Sequence, residues 1–497
     1  FLFSFSTGFL KKKKKHMDKE VVFGSIGTIL KYLGILMVVP LCVGVWYGEG
    51  ILSPFIIRTW IVPLVITITS GVILEWIGTQ GEIKRREGFA IVALGWLFVA
   101  IFGALPFVFS STLGPIDAFF ESMSGFSTTG ATVMLNLEQI DRSILLWRSF
   151  TQWIGGMGVI LLFIAIFPAF GISGSQLFDR EFPGPMSERI RPRVQKTARM
   201  LWSIYLLLTC AEIIALFYVA KLPLYDSLCT TFATMPTGGF SPLTGNIAGY
   251  MNPLAELIIA VFMFLAGMNF ILHYSLIRNP RRVIANKEFQ VYCVFIMIAV
   301  ILITGDLYFH HFDSLQEAFR YGGFQAISIM TTTGFTTANY DAWGDLSKMV
   351  IFALMFIGGC GGSTGGSIKV VRIYVLLKYS MQRIRHILYP HAIFVLKTGK
   401  KPISEDILQG IIAFFIAYVL IFVVCSILMA AMGLDIVSAT SSVAATLGNV
   451  GPGFGFVFLN YAEVPAMGKF ILSFCMWAGR LELFTVLVLL TPAFWRV

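Results

Sequence analysis

A short Thr-Gly motif occurs four times in this chain, each time between apolar stretches long enough to cross a bilayer. Its copies are residues 127–132, 235–240, 332–336 and, in a looser form, 446–450. The segment before each copy is too polar and too short to cross, because a membrane-spanning helix needs about 20 apolar residues. The pattern therefore predicts four re-entrant loops between membrane helices.

The composition agrees with a polytopic membrane protein. Of 497 residues 57% are hydrophobic and 13% charged, whereas soluble domains are about a quarter charged. The net charge of +10 comes from basic connectors between apolar stretches, where membrane topology and lipid headgroups account for it, so no nucleic-acid partner is predicted. No metal-ligand spacing or catalytic cluster is found among the cysteines, histidines and aspartates, so the chain is not predicted to be an enzyme.

Hydropathy predicts ten spans, and the last eight repeat one plan of span, short helix, Thr-Gly loop and span. The spans cover about residues 28–47, 55–77, 89–109, 144–170, 201–220, 254–276, 291–309, from 349 onward, 407–432 and 466–490. The third short helix is expected to be longer than the others, and an Asp is expected near each start. The predicted fold is an all-α integral membrane protein, with two leading helices and four repeats around a pseudo-four-fold pore.

These repeats divide the chain into six parts. Residues 1–16 are interpreted as a tag remnant, because His16-Met17 resembles a cloning junction. The other parts are a two-span unit (17–86) and pore repeats 1 (87–199), 2 (200–286), 3 with the gate (287–403) and 4 (404–497). The basic connectors 84–86, 180–199, 278–287 and 369–401 all fall on one side if the N-terminus is cytoplasmic and the short helices enter from outside.

The Thr-Gly loops have the chemistry of an ion filter. Non-helical backbone at membrane depth is tolerated only where protein buries it or water reaches it, and glycine can turn carbonyl groups toward an ion in place of water. No ring of carboxylates is present, so a monovalent cation is favoured; a single copy could be an ordinary turn. The candidate potassium-binding filter residues are Thr128, Thr129, Gly130, Pro236, Thr237, Gly238, Thr332, Thr333, Gly334, Leu447, Gly448 and Asn449.

A glycine-rich stretch interrupts the eighth span and is the gate candidate. It consists of Gly358, Gly359, Cys360, Gly361, Gly362, Ser363, Thr364, Gly365 and Gly366. Each glycine costs a helix up to about 1 kcal/mol, so we expect an unwound loop that blocks the path and retracts; close helix packing through small residues is the alternative. Arg480 in the tenth span is expected to donate to carbonyls of this loop, with a structural salt bridge as its alternative.

Two acidic residues and one basic segment stay open between roles. Glu121 and Glu212 are expected either to pair with Arg320 or a hydroxyl group, or to attract ions. Residues 378–401 are either a dock for a cytoplasmic regulator or a simple consequence of the positive-inside rule.

The four loops, the glycine-rich stretch and Trp477-Ala478-Gly479-Arg480 resemble those of the potassium-translocating subunits of the Trk/Ktr/HKT superfamily. The extra two-span unit resembles the TrkH branch rather than KtrB. The resemblance implies uptake of potassium and rubidium, a potassium ion in the filter with no organic cofactor, and a bacterial inner-membrane location. It also implies a homodimer and a cytoplasmic TrkA-like nucleotide-binding ring. Leu447 departs from the Thr-Gly pattern of the other copies.

A cation-coupled secondary transporter, a symporter with sodium or protons, is the alternative function. Such carriers also use interrupted helices and binding sites near the membrane midplane. Their repeats are usually inverted, whereas the four repeats predicted here share one topology.

Overall fold

The computed structural model describes residues 17–495, apart from residues 49, 52, 80, 82, 167–189, 393–394 and 399–400. The interpreted tag remnant 1–16 and residues 180–189 of a basic connector lie outside this description. The described chain is helical, except for its loops and one antiparallel pair of two-residue strands, Lys397–Thr398 and Lys401–Pro402.

The leading unit is a pair of helices in close contact. It comprises Lys19–Leu36, Val38–Trp46, Pro54–Ile56, a π-helical turn Ile57–Ile61, and Val62–Ile77. A Cβ built on Gly27 would lie 2.5 Å from the carbonyl oxygen of Gly71, and one on Gly71 would lie 2.8 Å from that of Gly27. Small residues therefore let the two backbones approach, as is common between membrane helices.

Four units follow, each with a long first helix, a short helix, a loop, a 3-10 turn and a second helix. Unit 1 has Arg85–Gly103, Leu105–Phe109, Pro115–Phe126, Leu137–Gln139 and Arg142–Ile166. Unit 2 has Ile190–Ile214, Ala215–Val219, Leu224–Thr234, Asn246–Tyr250, Pro253–Ala266, Phe270–Arg278 and Pro280–Ile284. Unit 3 has Lys287–His310, Leu315–Met330, Tyr340–Ala342, Asp345–Met355 and Val370–Leu388. Unit 4 has Glu405–Ala431, Ile436–Leu447, Gly455–Val457, Ala466–Arg480, Leu483–Leu490 and Pro492–Trp495.

Within the described residues, six helices are long and apolar enough to cross a membrane, or eight if two bent pairs are each one span. Helix Arg142–Ile166 and the interrupted pair Asp345–Met355 and Val370–Leu388 would bring the number to ten. The ten-span arrangement therefore stays a prediction.

The sixth and tenth predicted spans are each bent within the structure. The chain bends by 103° between Pro253–Ala266 and the following helix, and by 117° between Ala466–Arg480 and Leu483–Leu490. At the first bend the side chain of Asn269 caps the new helix by accepting from the Ile271 N–H at 2.9 Å. At the second bend Glu482 has a φ of 60°, which a right-handed helix does not accommodate.

The short helices are buried, and the long helices expose apolar side chains. Residues 438–439 and 441–451 of unit 4 are buried, whereas Leu420 and Ile427 on its long first helix are each 61% exposed. The core thus lies around the short helices and their loops, and the long helices present an apolar outer surface suited to lipid.

The predicted length difference among the short helices is confirmed, since the third has 16 residues and the others 12, 11 and 12. Capping by aspartate holds in one case. Asp435 accepts from the Val437 and Ser438 N–H groups at 3.1 Å. Asp117 instead pairs with Lys469 at 2.5 Å, so its carboxylate is used between elements.

Candidate ion pathway

All four loops share one unusual backbone pattern. Two residues in each loop have left-handed φ angles with one residue between them. The pairs are Thr128 (52°) and Gly130 (87°), Thr237 (57°) and Gly239 (77°), Thr332 (60°) and Gly334 (79°), and Asn449 (53°) and Gly451 (105°). The repetition makes the four loops structurally equivalent residue by residue.

This equivalence corrects the register in two loops. The sequence aligned Gly238 and Gly448 with Gly130, but the left-handed glycines are Gly239 and Gly451. Leu447 is the last residue of its short helix and Gly448 caps that helix with a right-handed φ of −78°. Leu447 and Gly448 therefore lie before the left-handed pair. A glycine two residues after Asn449 was the signal that could have shown this register.

The left-handed glycines form a closed ring with backbone carbonyl groups. A Cβ added to any one of them would lie no more than 2.6 Å from a carbonyl oxygen of the next loop. The contacts run from Gly130 to Gly238, from Gly239 to Thr333, from Gly334 to Val450, and from Gly451 to Thr129. Each carbonyl belongs to the residue just before the left-handed glycine of the next loop. The four loops therefore surround one axis in the order of the chain.

Loop 1 (residues 127–132) is held from behind by Glu121. Its carboxylate accepts from the Val133 N–H at 2.8 Å and the Thr132 hydroxyl at 2.9 Å. It also pairs with Arg148, whose Nε lies 2.6 Å away, and both side chains are buried. The expected partner Arg320 pairs instead with Glu256 at 2.6 Å.

Arg148 joins loop 1 to loop 2 (residues 236–241). Its guanidinium donates to the carbonyl oxygen of Ser241 at 2.8 Å and lies 3.7 Å from the centroid of the Phe240 ring. The sequence reasoning missed this residue, although a charge inside a predicted span is a usable signal. Loop 2 is also bonded by the buried Gln152, for which the sequence holds no such signal.

Loops 3 (331–336) and 4 (448–453) use other groups. The Ser328 hydroxyl donates to the carbonyl of Phe335 at 2.7 Å. The Tyr461 hydroxyl donates to the carbonyl of Gly451 at 2.8 Å, and the Asn449 amide donates to the Thr129 hydroxyl at 2.9 Å. The backbone plan is thus shared by four loops whose supporting side chains differ.

A cavity of about 180 Å³ lies on one side of the ring and is lined by its four left-handed glycines, with Thr132, Ser241, Thr336 and Asn339. The 3-10 turn containing Glu138 lies beside it. Glu138 accepts from the Thr244 hydroxyl at 2.6 Å and from its N–H at 2.8 Å, and these hydrogen bonds lower the pKa of Glu138.

The glycine-rich loop (residues 358–366) contacts the starts of loops 2 and 3. Two backbone bonds close its base, from the Gly358 N–H to Ile368 at 2.9 Å and from Val370 to Gly359 at 3.2 Å. At its tip the Thr364 hydroxyl donates to the carbonyl of Met235, where loop 2 begins, at 3.0 Å. The Gly366 N–H donates to the Thr332 hydroxyl in loop 3 at 2.7 Å. The glycine-rich loop is therefore unwound and packed against loops 2 and 3.

Charged side chains hold this loop from several directions. Arg480 is buried and donates to the carbonyl of Thr364 at 2.7 Å. Lys369 is buried and donates to the carbonyl of Gly365, so it does not extend to the membrane surface. Glu288 accepts from the Gly361 N–H at 2.5 Å. Cys360 is buried, and its N–H donates to the carbonyl of Gly267 at the bend of the sixth span at 2.9 Å.

The ionisable side chains of the described residues do not cluster into a metal centre. In the described part of the chain no group of three His, Cys, Asp or Glu residues could hold a metal ion. Glu212 is fully buried, with the Thr234 side chain beside its carboxylate and no charged partner among the residues that the structure describes. The ring of backbone carbonyls is therefore the better candidate for binding a cation.

Comparison with known proteins now identifies the family. The family model TrkH, described as a cation transport protein, matches residues 61–496. The chain belongs to the TrkH family. The predicted resemblance is thereby confirmed, and the chain is a multi-pass membrane protein.

Its relatives are named as transport proteins. It is 40% identical to the Trk system potassium uptake protein TrkH of Salmonella typhimurium over 95% of this chain and 99% of that one. The TrkH protein of Vibrio parahaemolyticus is 37% identical over 97% of this chain and all of that one (100%). The crystal structure titled potassium transporter TrkH from Vibrio parahaemolyticus has a TM-score of 0.88 and 35% identity, covering 97% of this chain and 100% of that one. These names agree with the expectation that the chain is not an enzyme.

Proposed function

We propose that this chain is the membrane subunit of a potassium uptake system and conducts potassium and rubidium ions through the ring of four loops. The closed contact of four left-handed glycines with four carbonyl groups carries this proposal. The names of the TrkH relatives support it independently.

The chemistry of the ring suits a monovalent cation. Backbone carbonyl oxygens replace the hydration shell of a potassium ion, and the C-terminal ends of helices supply further partial negative charge. The acidic side chain directly behind loop 1, Glu121, is paired with Arg148. An unpaired carboxylate at this position would favour a divalent ion, but the charge of Glu121 is balanced by that of Arg148.

The glycine-rich loop is the proposed intramembrane gate. Support comes from its contacts with Met235, just before loop 2, and with Thr332 in loop 3, and from its closed base. A segment held at its base by two backbone bonds can move as a flap when its tip contacts break. Arg480 places a positive charge at the tip of this flap and thereby opposes cations in the closed state.

Flux measurements in liposomes test the filter. The purified chain is expected to pass potassium and rubidium and to exclude sodium. Gly334→Ser is expected to damage this profile, because the new Cβ would overlap the carbonyl of Val450 at a left-handed φ of 79°. An identical potassium-to-sodium ratio in the variant would remove Gly334 from the filter, and a wild type that passes neither potassium nor rubidium would overturn the proposal.

A symporter coupled to protons is the second candidate, and Glu212 favours it. A fully buried carboxylate in a span, with no charged partner in the described residues, is a group that could carry a proton. Single-channel currents would decide for a channel. Flux that stops without a proton gradient, and whose proton dependence disappears in Glu212→Gln, would decide for a carrier.

Regulation by a TrkA-like cytoplasmic nucleotide-binding ring, and assembly as a homodimer, complete the proposal. Helix Val370–Leu388 runs directly from the glycine-rich loop into the basic segment 378–401. Near its end Ile384, Ile387 and Leu388 are exposed beside Arg383 and Arg385. A ring that binds this helix would act on the gate through one continuous element. Ile387→Asp is expected to weaken co-purification of the ring without changing basal rubidium flux.

A further inference from the structure

One of the four ring carbonyls differs from the other three. The carbonyl groups of Thr129, Gly238, Thr333 and Val450 hold equivalent positions. In the described residues only the carbonyl of Gly238 accepts a side-chain hydrogen bond, from Gln152 Nε2 at 2.7 Å. Gln152 is fully buried and lies on helix Arg142–Ile166 of unit 1, so the bond crosses from one repeat to the next.

The Gln152 amide makes a second bond to the same loop. Its Oε1 accepts from the Phe240 N–H at 3.1 Å. An amide has its donor and acceptor on opposite sides, so one orientation satisfies both partners. The two bonds bracket Gly239, the left-handed glycine of loop 2.

Loop 2 differs from the others at the position that Gln152 contacts. Thr129 and Thr333 fix their loops with their own hydroxyl groups, which bond to Ser127 at 2.7 Å and to Thr331 at 2.8 Å. Gly238 has no side chain to do this, and two successive glycines leave the backbone unusually free. A Cβ on Gly238 would lie 2.6 Å from Oε1 and 2.8 Å from Nε2 of Gln152. The Gln152 amide therefore occupies the space that a threonine would fill.

We propose that Gln152 is a positioning residue that determines ion specificity by fixing the carbonyl of Gly238 in the filter. The inference rests on the proposed function as a potassium filter. Selectivity depends on the number and field strength of the carbonyl groups around the ion. Without Gln152, the two glycines of loop 2 are free to move this carbonyl toward a smaller ion, so sodium is admitted.

The test compares potassium, rubidium and sodium fluxes of the full chain in liposomes. Gln152→Met keeps the side-chain volume and removes both hydrogen bonds. We expect the ratio of potassium flux to sodium flux to fall by about two- to tenfold, while rubidium still permeates. This fold-change corresponds to the net free energy of one hydrogen bond. Gln325→Met is the matched control. Gln325 is equally buried, lies on short helix Leu315–Met330, and its amide has no hydrogen-bond partner in the described residues.

A rescue experiment separates positioning from general packing. Gly238→Thr alone is expected to disrupt the filter, because the new side chain overlaps Gln152. Adding Gln152→Ala makes room for it. The double variant is expected to recover selectivity relative to Gly238→Thr, because Gly238 does not have a left-handed φ and the three atoms nearest to its added Cβ all belong to Gln152.

The outcomes are distinct. A selective wild type whose ratio is unchanged in Gln152→Met, with no recovery in the double variant, overturns this inference alone. A wild type that does not distinguish potassium from sodium overturns the proposed filter and the inference with it. Melting temperatures of all variants are measured in parallel, and a ratio that falls equally in Gln325→Met also overturns the inference.

Discussion

The ring of four loops and the glycine-rich loop both depend on glycine, but they are held in different ways. In the ring, each left-handed glycine contacts a carbonyl of the next loop, and the last loop contacts the first. The glycine-rich loop is a single excursion from the chain. It is closed at its base by two backbone bonds, and beyond the base it is held by groups such as Arg480 and Glu288.

The difference indicates which region is built to move. One loop of a closed ring cannot shift without moving its two neighbours, so the geometry of the ring is fixed cooperatively. The glycine-rich loop is held beyond its base by separate hydrogen bonds, including one from the Phe270 N–H to the carbonyl of Gly362 at 3.0 Å, and it can detach as a flap when those bonds break. We infer that the ring acts as the static element of the pathway and the glycine-rich loop as the mobile one.

The largest effect is expected from adding a Cβ to the ring. In Gly239→Ala a left-handed conformation costs about 1–2 kcal/mol, and overlap with the carbonyl of Thr333 adds to this. Potassium uptake should fall by more than about tenfold. Gly433→Ala is the control, because Gly433 also has a left-handed φ (97°) but nothing lies within 4 Å of its Cβ position. Uptake that falls equally in both variants would contradict the ring.

Removing the charged tip contact should open the flap. Arg480→Ala deletes the donor to the carbonyl of Thr364. A hydrogen bond from a charged group contributes about 1.5–3 kcal/mol, so rubidium flux without any regulator should rise by roughly tenfold or more. Lys469→Ala removes a buried cation from the same helix, where it pairs with Asp117 and not with the loop. If flux is unchanged in Arg480→Ala, the tip is not held by this contact.

The architecture was predictable from periodic features, but many of the side chains that support the ring of four loops were not. Apolar runs and the repeated Thr-Gly motif indicated repeats and loops, because both follow from spacing along the chain. The register of loops 2 and 4 depends on where a short helix ends, and the Gly448 cap shows that Thr-Gly spacing does not determine it. Gln152 and Arg148 act across repeats, on partners 86 and 93 residues away, and no local pattern encodes such contacts.

A smaller effect is expected at Glu288, which holds the other side of the flap. Glu288→Ala removes the acceptor for the Gly361 N–H and should raise basal rubidium flux less than Arg480→Ala does, because Lys369 and Arg480 still hold the loop. Glu288→Gln keeps an acceptor oxygen, so its basal rubidium flux should lie between that of the wild type and that of Glu288→Ala. The double variant Glu288→Ala with Arg480→Ala should exceed either one. A Glu288→Ala variant with wild-type flux would place the moving part of the loop beyond Gly361.

The smallest effect is expected from the exposed link between Glu138 of unit 1 and Thr244 of unit 2. Hydrogen bonds from Thr244 lower the pKa of Glu138 in the folded protein. The ionised carboxylate therefore stabilises the fold fully at pH values above the pKa that Glu138 has in the unfolded chain. This stabilisation is lost as the pH falls through the lower pKa of the folded state. In Glu138→Gln that acid-dependent decrease in melting temperature should be absent, and potassium uptake near neutral pH should match wild type. The control is Thr244→Val, which removes one donor and leaves the charge. If Glu138→Gln instead lowered potassium uptake as much as Gly239→Ala does, the geometry of the ring would depend on the Glu138–Thr244 link. The ring would then not be self-supporting, and this difference between the ring and the flap would be lost.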